Sequence, residues 1–413
     1  MLRVIENSKD EKQEAQTLDD IAREGARRML GEALQAEADE YVERHARERD
    51  DAGRSLVVRN GKGQPRKVTM GCGTVEIEAP RVHDRREDQR FTSEILPPYM
   101  RRSPKVSEVL PVLYLRGLST GDFREALPIL LGKDASGLSP TAITRLTAKW
   151  QDEYQSFRNR DLSGEEYIYV WVDGVHFRVR LDDDRLCTLV MIGVRSDGKK
   201  ELLAVEDGYR ESAESWSSVL RDLKRRGMNS PLLAIGDGAL GFWKAVGDVW
   251  PETQEQRCWV HRLANVLDKL PKRLQPKAKQ ALHEIMNADT KENAEAMIER
   301  FASDYEAKYP KAVASLRRHE DKLLTFFDFP AEHWLHIRST NAIESSFATV
   351  RLRTRVTKGA GSRSKALTMA FKLLDMAEKR WRRINAPELA QRVANGDRFQ
   401  DGILVSEDRK DVA

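Results

Sequence analysis

The stretch Tyr167 to Arg180, YIYVWVDGVHFRVR, constrains the fold more than any other part of the chain, because six successive apolar residues end at one carboxylate, Asp173. A short apolar run of this density reads as a strand buried on both faces, and a buried strand that delivers an acid into a cleft can place a metal ligand there. Two later acids sit in comparable positions. Asp237 closes the apolar run LLAIGD, and Glu344 lies in RSTNAIESSF.

Each acid also has a plainer local reading. Asp173-Gly174 between two apolar runs is a hairpin signal, which would make Asp173 a turn residue. Asp237, in Gly236-Asp237-Gly238 before a helical pattern, could be an N-cap. Glu344 stands three residues after Asn341, close to a capping box in which the Glu returns a hydrogen bond to the cap backbone.

The order of elements brings the three together. Strands are predicted at 167–173, 175–181 and 186–194, a helix at 212–226, a strand at 231–236, a helix at 239–249 and a strand at 254–258. Three strands in a meander followed by αβαβ is the ribonuclease H-like order, with a mixed five-stranded sheet. In it the first and fourth strands are parallel neighbours about 4.8 Å apart, so acids at matching ends converge. From 263 to 336 the spacing is helical and broken by Pro271, Pro276 and Pro310, predicting an all-helical insertion before the third acid. The expected fold is thus an α/β ribonuclease H-like core (161–262) interrupted by that insertion and resumed at 337–395 with the Glu344 helix and basic helices, leaving a tail at 396–413.

Ahead of the core the pattern is mainly helical with a small β-hairpin. Residues 12 to about 50 have amphipathic spacing, one helix or a pair, within a first region at 1–52. Residues 53–66 read as a Gly-rich linker, 67–70 and 74–79 as a hairpin, and the Pro-punctuated 80–104 as irregular surface chain. Three helical pieces fill 105–160: one at 106–115, one opened by Ser119 and closed by Gly132, one opened by Ser139 and Pro140. They suit a helix-turn-helix offering Thr141, Thr144, Arg145 and Lys149 to DNA, or a plain helical bundle.

Charge points the same way. Between Arg338 and Arg383 twelve Lys and Arg face three acids, a local excess of +9 on a chain whose total is +4, so the rest is slightly acidic. Such a run is either a solvated helix face or the seat of a polyanion. Its start beside Glu344 favours a phosphate backbone, positioned by Arg338, Asn341, Arg351, Arg353 and Arg355. Arg338 and Arg351 would also favour ionised carboxylates. No run approaches a membrane helix and the start lacks the apolar core of a signal peptide, so a cytoplasmic protein is expected, with no membrane partner. Cys72, Cys187 and Cys258 are odd in number and far apart, which argues against a disulfide framework.

Two or three carboxylates suffice for Mg²⁺, which prefers oxygen ligands and keeps waters or substrate phosphates in its remaining positions. Two ions per site, with Mn²⁺ as a substitute, would serve an in-line displacement at phosphorus, and no small-molecule cofactor is expected. Cys258-Trp259-Val260-His261 does not supply the four ligands of a structural zinc site. Cys258 and His261 are instead expected to face one another over the first helical turn and, with Trp259, to buttress the site, His261 reaching a phosphate. Trp259 and Trp334 are read as core aromatics, stacking on an unpaired base being the alternative.

The residues also resemble the bacterial insertion-sequence transposases of the Mutator-like IS256 family. The likeness is carried by YLRGLSTGDF at 114–123, SPTAITRL at 139–146, VDGVHF at 172–177, GDG at 236–238, QRCWVHRLANVLDKLPK at 256–272 and RSTNAIESSFATVR at 338–351. It implies a three-acid (DDE) transposase with a ribonuclease H-like core, in which Asp173, Asp237 and Glu344 match the metal-binding acids. It also implies that the N-terminal region recognises terminal inverted repeats and that 3′ ends are joined to target DNA. A bacterial, nucleoid-associated protein acting on two ends would be at least a homodimer. A structure-specific nuclease of the same core, and a non-catalytic DNA-binding regulator derived from a transposase, are the alternatives; the latter should have lost an acid.

Overall fold

The computed structural model describes residues 17–118, 120–131, 135, 139–178, 185–208, 211–238, 241–356 and 362–405. They form two compact units divided between Ile143 and Thr144. None of the described helices is long and apolar enough to cross a membrane.

The first unit holds α1 (Leu18–Arg44), β1 (Val57–Lys62), β2 (Arg66–Met70), β3 (Gly73–Ile77), β4 (Pro80–Asp84), α2 (Pro104–Leu115) and α3 (Thr120–Leu131). The amphipathic N-terminal pattern is a single helix, α1. Thr17 caps it, accepting from Asp20 N while Asp20 accepts from Thr17 N. The expected hairpin is β2–β3, in register from Arg66↔Ile77 to Met70↔Gly73. Val68, Val75 and Ile77 share a small core with Leu34 and Leu96.

The expected linker at 53–66 and the first residues of the expected irregular chain at 80–104 are corrected, because β1 and β4 pair antiparallel; from 85 to 103 the chain is irregular. Their pairing has little apolar alternation to announce it. A polar network ties the end of β4 to α1: Arg86 donates to Asp84 at 2.7 and 2.9 Å and to the Tyr41 hydroxyl at 2.6 Å, with the Asp84 side chain only 1% exposed. Both residues that bound the second helical piece, Ser119 and Gly132, lie outside the described residues, as do 1–16.

Helix α4 (Pro140–Asn159) begins in the first unit and lies mainly in the second. Ser139 caps it, its hydroxyl accepting from Ala142 N at 3.1 Å. Its C-terminal half is not a free recognition helix. The Tyr154 hydroxyl donates to Val205 O at 2.7 Å, and the Tyr154 and Phe157 rings lie against Phe371, so the later part of region 105–160 is built into the second unit.

The second unit continues with β5 (Tyr167–Arg178), β6 (Arg185–Arg195), β7 (Lys200–Gly208), α5 (Ala213–Arg225), β8 (Leu233–Gly236), α6 (Phe242–Val249), β9 (Gln254–Arg257) and α7 (Trp259–Leu267). Then come α8 (Gln275–Met286), α9 (Lys291–Tyr305), α10 (Pro310–Arg317), α11 (Glu320–Leu323) and α12 (Trp334–Ile337), which make the segment after the sheet helical. α13 (Asn341–Val356), α14 (Arg363–Glu378), α15 (Pro387–Ala394), β10 (Phe399–Gln400) and β11 (Ile403–Leu404) complete it. The last two strands pair, so the expected tail is structured as far as Val405; residues 406–413 lie outside the described part.

The sheet order is β7-β6-β5-β8-β9, with β5–β6 and β6–β7 antiparallel and β5–β8 and β8–β9 parallel. That mixed five-stranded order is ribonuclease H-like. One expectation is corrected: Asp173-Gly174 is not a turn. β5 runs on through it, Asp173 opposite Val190 and Gly174 opposite Leu189. The long apolar stretch of β6 can pair with all of β5, and that outweighs the local turn preference. Hence the stretches given as 167–173 and 175–181 are one strand, with 179–181 outside the described residues, and the third strand is Lys200–Gly208.

Residues Ile168 to Val172 are buried completely, as central position requires. Against one face packs α5 through Trp216, Val219, Leu220 and Leu223, with Phe242, Ala245 and Val246 of α6. The loop before α6 comes very close to the start of α5. Gly241 N donates to Glu211 O at 3.0 Å, and a Cβ at Gly241 would stand 2.6 Å from the Ser212 carbonyl carbon. Gly241→Ala must therefore push backbone apart, and we expect it to cost about 2 kcal/mol of stability. Urea unfolding measures this; an unchanged midpoint would mean the two loops are not so closely packed.

Candidate active site

β5 and β8 pair with a constant offset of 64 residues, from Tyr169↔Leu233 to Trp171↔Ile235. Two positions further on, the same offset sets Asp237 level with Asp173. Neighbouring strands are about 4.8 Å apart and residues at one level of a parallel pair face the same side, so the register directs Asp173, within β5, and Asp237, one residue past the end of β8, towards one another. Gly174 N donates to Asp173 Oδ1 at 2.8 Å, and Gly238 N donates to Asp237 Oδ1 at 2.5 Å. The Trp243 indole N–H holds the Asp237 carbonyl at 2.6 Å.

Glu344 arrives on the first turn of α13. That turn is clamped to the sheet edge, since Cys258 N donates to Gly236 O at 2.9 Å and Trp259 N donates to Arg338 O at 3.0 Å. The residue preceding α13 is Thr340, fully buried, and its hydroxyl donates to Glu344 Oε1 at 2.7 Å. The capping-box alternative for Glu344 gives way to this contact. The same hydroxyl lies 3.2 Å from Cys258 Sγ and 3.4 Å from His261 Nδ1, while His261 Nδ1 is 3.8 Å from Glu344 Oε1. Cys258, His261 and Glu344 place their donor atoms within 4.8 Å of one another, three donors where a structural zinc takes four.

A further carboxylate stands beside these. Glu211, just ahead of α5, lies over Gly174, where a Cβ would run into its carboxyl group, and it pairs with His176 Nε2 at 3.4 Å. Sequence reasoning missed Glu211, which belongs to no motif. The only hint was a glycine directly after Asp173, where the bare backbone makes room.

The electrostatics agree with crowded acids. Burial pushes Asp173 up to about 7, Glu211 and Glu344 push the same way, and the Gly174 N–H and His261 oppose. Glu211 is also raised, by burial first and by Asp237, against His176 and His261. His261 is raised to about 9 by its hydrogen bond with Cys258 and then by Asp237 and Glu344, burial opposing. The expectation that Arg338 keeps the acids ionised is corrected, and a cation beside Asp173 and Glu211 is His261. Arg338 Nη1 donates instead to Met286 O at 3.1 Å and Asn287 Oδ1 at 2.8 Å, at the end of α8. A set of carboxylate oxygens that repel one another and are partly desolvated could hold hard divalent cations.

The remaining residues singled out above are dispersed. Thr141, Thr144, Arg145 and Lys149 are exposed on α4, Lys149 4.0 Å from Glu153. Asn341 is exposed at the start of α13, and Arg351 is exposed with its guanidinium 5.8 Å from the Phe347 ring. The side chains of Arg353 and Arg355 lie outside the described residues. Trp259 is fully buried, its N–H on Leu323 O at 3.0 Å, which makes it core. Trp334 packs edge-on against Phe326 and Phe327 and donates to Phe329 O at 2.8 Å.

Residues 2–383 match the family described as Transposase, Mutator family. The transposase for insertion sequence element IS6120 of Mycolicibacterium smegmatis is 59% identical over 300 residues, 73% of this chain and 93% of that protein. The transposase for IST2 of Acidithiobacillus ferrooxidans is 52% identical, covering 68% of this chain and 95% of its own. That for IS256 in transposon Tn4001 of Staphylococcus aureus is 27% identical, covering 82% and 85%. Among solved structures, the HTLV-2 integrase catalytic core domain in complex with magnesium aligns over 31% of this chain and 88% of its own at 18% identity and a TM-score of 0.18. The fold assignment rests on strand order and not on that likeness. The chain belongs to the Mutator family of transposases.

Proposed function

We propose that this member of the Mutator transposase family binds the terminal inverted repeats of its insertion sequence and, with Mg²⁺, cleaves strands at their ends and joins them to target DNA. The observation that carries the reading is the parallel register of β5 and β8, which runs on from Trp171↔Ile235 towards Asp173 and Asp237, with the start of the Glu344 helix tied to the sheet through Thr340 and Cys258. Asp173, Asp237 and Glu344 would hold two Mg²⁺ ions, or Mn²⁺ in their place, with Glu211 as a fourth oxygen donor. Bound there, such ions supply Lewis-acid activation of the attacking oxygen and stabilisation of the leaving one.

In the first step a water oxygen bonds to phosphorus as the bond from phosphorus to the 3′ oxygen breaks, leaving a 3′-OH on the element. In the second that 3′ oxygen bonds to a target phosphorus, and the target's own 3′ oxygen leaves. No protein nucleophile is required. The chain's residues hold the carboxylates in place, Thr340 for Glu344 and the Gly174 and Gly238 N–H groups for the two Asp. Arg351, Arg353 and Arg355 position phosphates, while the N-terminal unit and the exposed Thr141, Thr144, Arg145 and Lys149 contact repeat DNA. Two ends acted on together make a homodimer or a larger assembly.

The test is purified protein with duplexes carrying the sequences that flank this gene, in Mg²⁺ and in EDTA. Joined products in Mg²⁺ that disappear in EDTA are expected. Cleavage without joining would favour the structure-specific nuclease, and binding without chemistry under every metal the regulator.

A further inference from the structure

Beside Asp237 lies a cavity of 250 Å³, bounded by the end of β9, by α7 and by the end of α10. Arg257, Arg262, Lys269 and Arg318 line it, and the acid among its lining residues is Asp237 itself. Glu255, outside the lining, serves Arg257 at 2.8 Å but also Lys322 at 2.9 Å, so it neutralises only part of this charge.

Arg257 is the telling member. It is 4% exposed, with its guanidinium 3.9 Å from the centre of the Trp243 ring, and Trp243 is the residue whose indole holds the Asp237 carbonyl. One of its nitrogens bonds Glu255, while Nε and Nη1 have no hydrogen-bond partner among the described residues. Buried donors left unpaired are costly, and a guanidinium presents its donors in a fork that matches the oxygens of a phosphate. Arg262, 7% exposed, is anchored by Ser315 O and Leu316 O and held down to about 10, first by burial and then by Arg257 and Arg318. Three arginines that repel one another, joined by Lys269 and offset within the lining only by Asp237, make the cavity suited to an anion.

We propose that this cavity binds a backbone phosphodiester of the DNA strand, next to the phosphate reacting at the carboxylates. This rests on the transposase reading. The wall shared with Asp237 sets the phosphate beside the reacting one, and the exposed Lys269, Arg318 and Asn265 at the rim leave the strand free to run on in both directions. The contact reads no sequence and fixes the strand's register across the acids.

The test measures binding of full-length protein to a fluorescent duplex of the gene-flanking end sequence, in EDTA so that no chemistry intervenes, over a series of KCl concentrations. The rim double variant Lys269→Ala/Arg318→Ala changes only exposed side chains. It should bind about tenfold more weakly, with a salt slope smaller by about one to two. A single uncharged methylphosphonate beside the cleavage point should weaken the wild type by a similar factor and leave the variant unaffected. Equal affinity and slope in the two proteins would overturn the assignment while leaving the transposase reading in place; no DNA binding by either would remove both. Inorganic phosphate is the second probe. If it raises the Tm of the wild type but not of the variant while both bind DNA alike, the cavity takes a free anion and the DNA assignment is wrong.

Discussion

Asp173→Asn should melt at a higher temperature than the wild type in metal-free buffer at pH 8, and in Mg²⁺ it should lose strand cleavage by at least about a thousandfold. The activity loss follows from removing an anionic oxygen at a site where bound metal supplies several kcal/mol of charge stabilisation. The stability gain follows from linkage. The folded-state value of about 7 is raised above the unfolded 3.8, so the native state keeps this proton where the unfolded chain releases it. Stability from this group is present in full below about pH 4, falls through the window up to about 7, and above that the ionised carboxylate opposes folding. Asparagine removes the opposition, worth about 2–4 kcal/mol after allowance for partial solvent access, or several degrees in Tm. Mn²⁺ should reverse the order by stabilising the wild type far more than the variant. Scanning fluorimetry across pH 5–8 with and without Mn²⁺ would show it. A variant that melts below the wild type without metal would refute the crowded-acid picture.

Thr340→Val should lower the joining rate by about ten- to a hundredfold with little change in fold, because it keeps the shape and removes only the hydroxyl. That hydroxyl is the donor to Glu344 Oε1 and lies against Cys258 Sγ and His261 Nδ1. Groups that orient metal ligands have effects of this size when removed. Thr340→Ser should restore most of the rate, and single-turnover joining assays would compare the three. A valine variant as fast as the wild type would show that Glu344 is oriented by something else.

The sheet was legible because its signal is apolar density: Tyr167–Val172 and Leu233–Ile235 read as buried strands, and the order around them leaves few topologies. Where local preference competed with long-range pairing, the reading failed. Asp173-Gly174 has turn chemistry, yet β6 supplies a partner along the whole of β5. β1 and β4 pair with little apolar alternation between them, so they have no period to read.

In the site, Asp173 and Asp237 after apolar runs and the Cys258–His261 spacing could be picked out because their positions follow from regular structure, although Asp173 lies within β5 and not at its end. Glu211 could not, since a loop delivers it, and only the approach over Gly174 reveals its place. Arg338 misled because a cation near an acid in sequence is not near it in space; it closes off α8 instead. The arginines of the cavity beside Asp237 are scattered over 62 residues, Arg257 to Arg318, and become a group only once α7 and α10 pack together.

In the proposed mechanism the carboxylates hold the reaction's metal, and Asp237→Cys tests this most directly. A thiolate is a poor ligand for Mg²⁺, a better one for Mn²⁺, which stands higher in the divalent affinity order, and a good one for a soft ion such as Cd²⁺. The variant should join no DNA in Mg²⁺ and recover joining when a softer ion is added, the wild type being active in Mg²⁺ throughout. Joining at the wild-type rate by Asp237→Cys in Mg²⁺ alone would contradict the central claim.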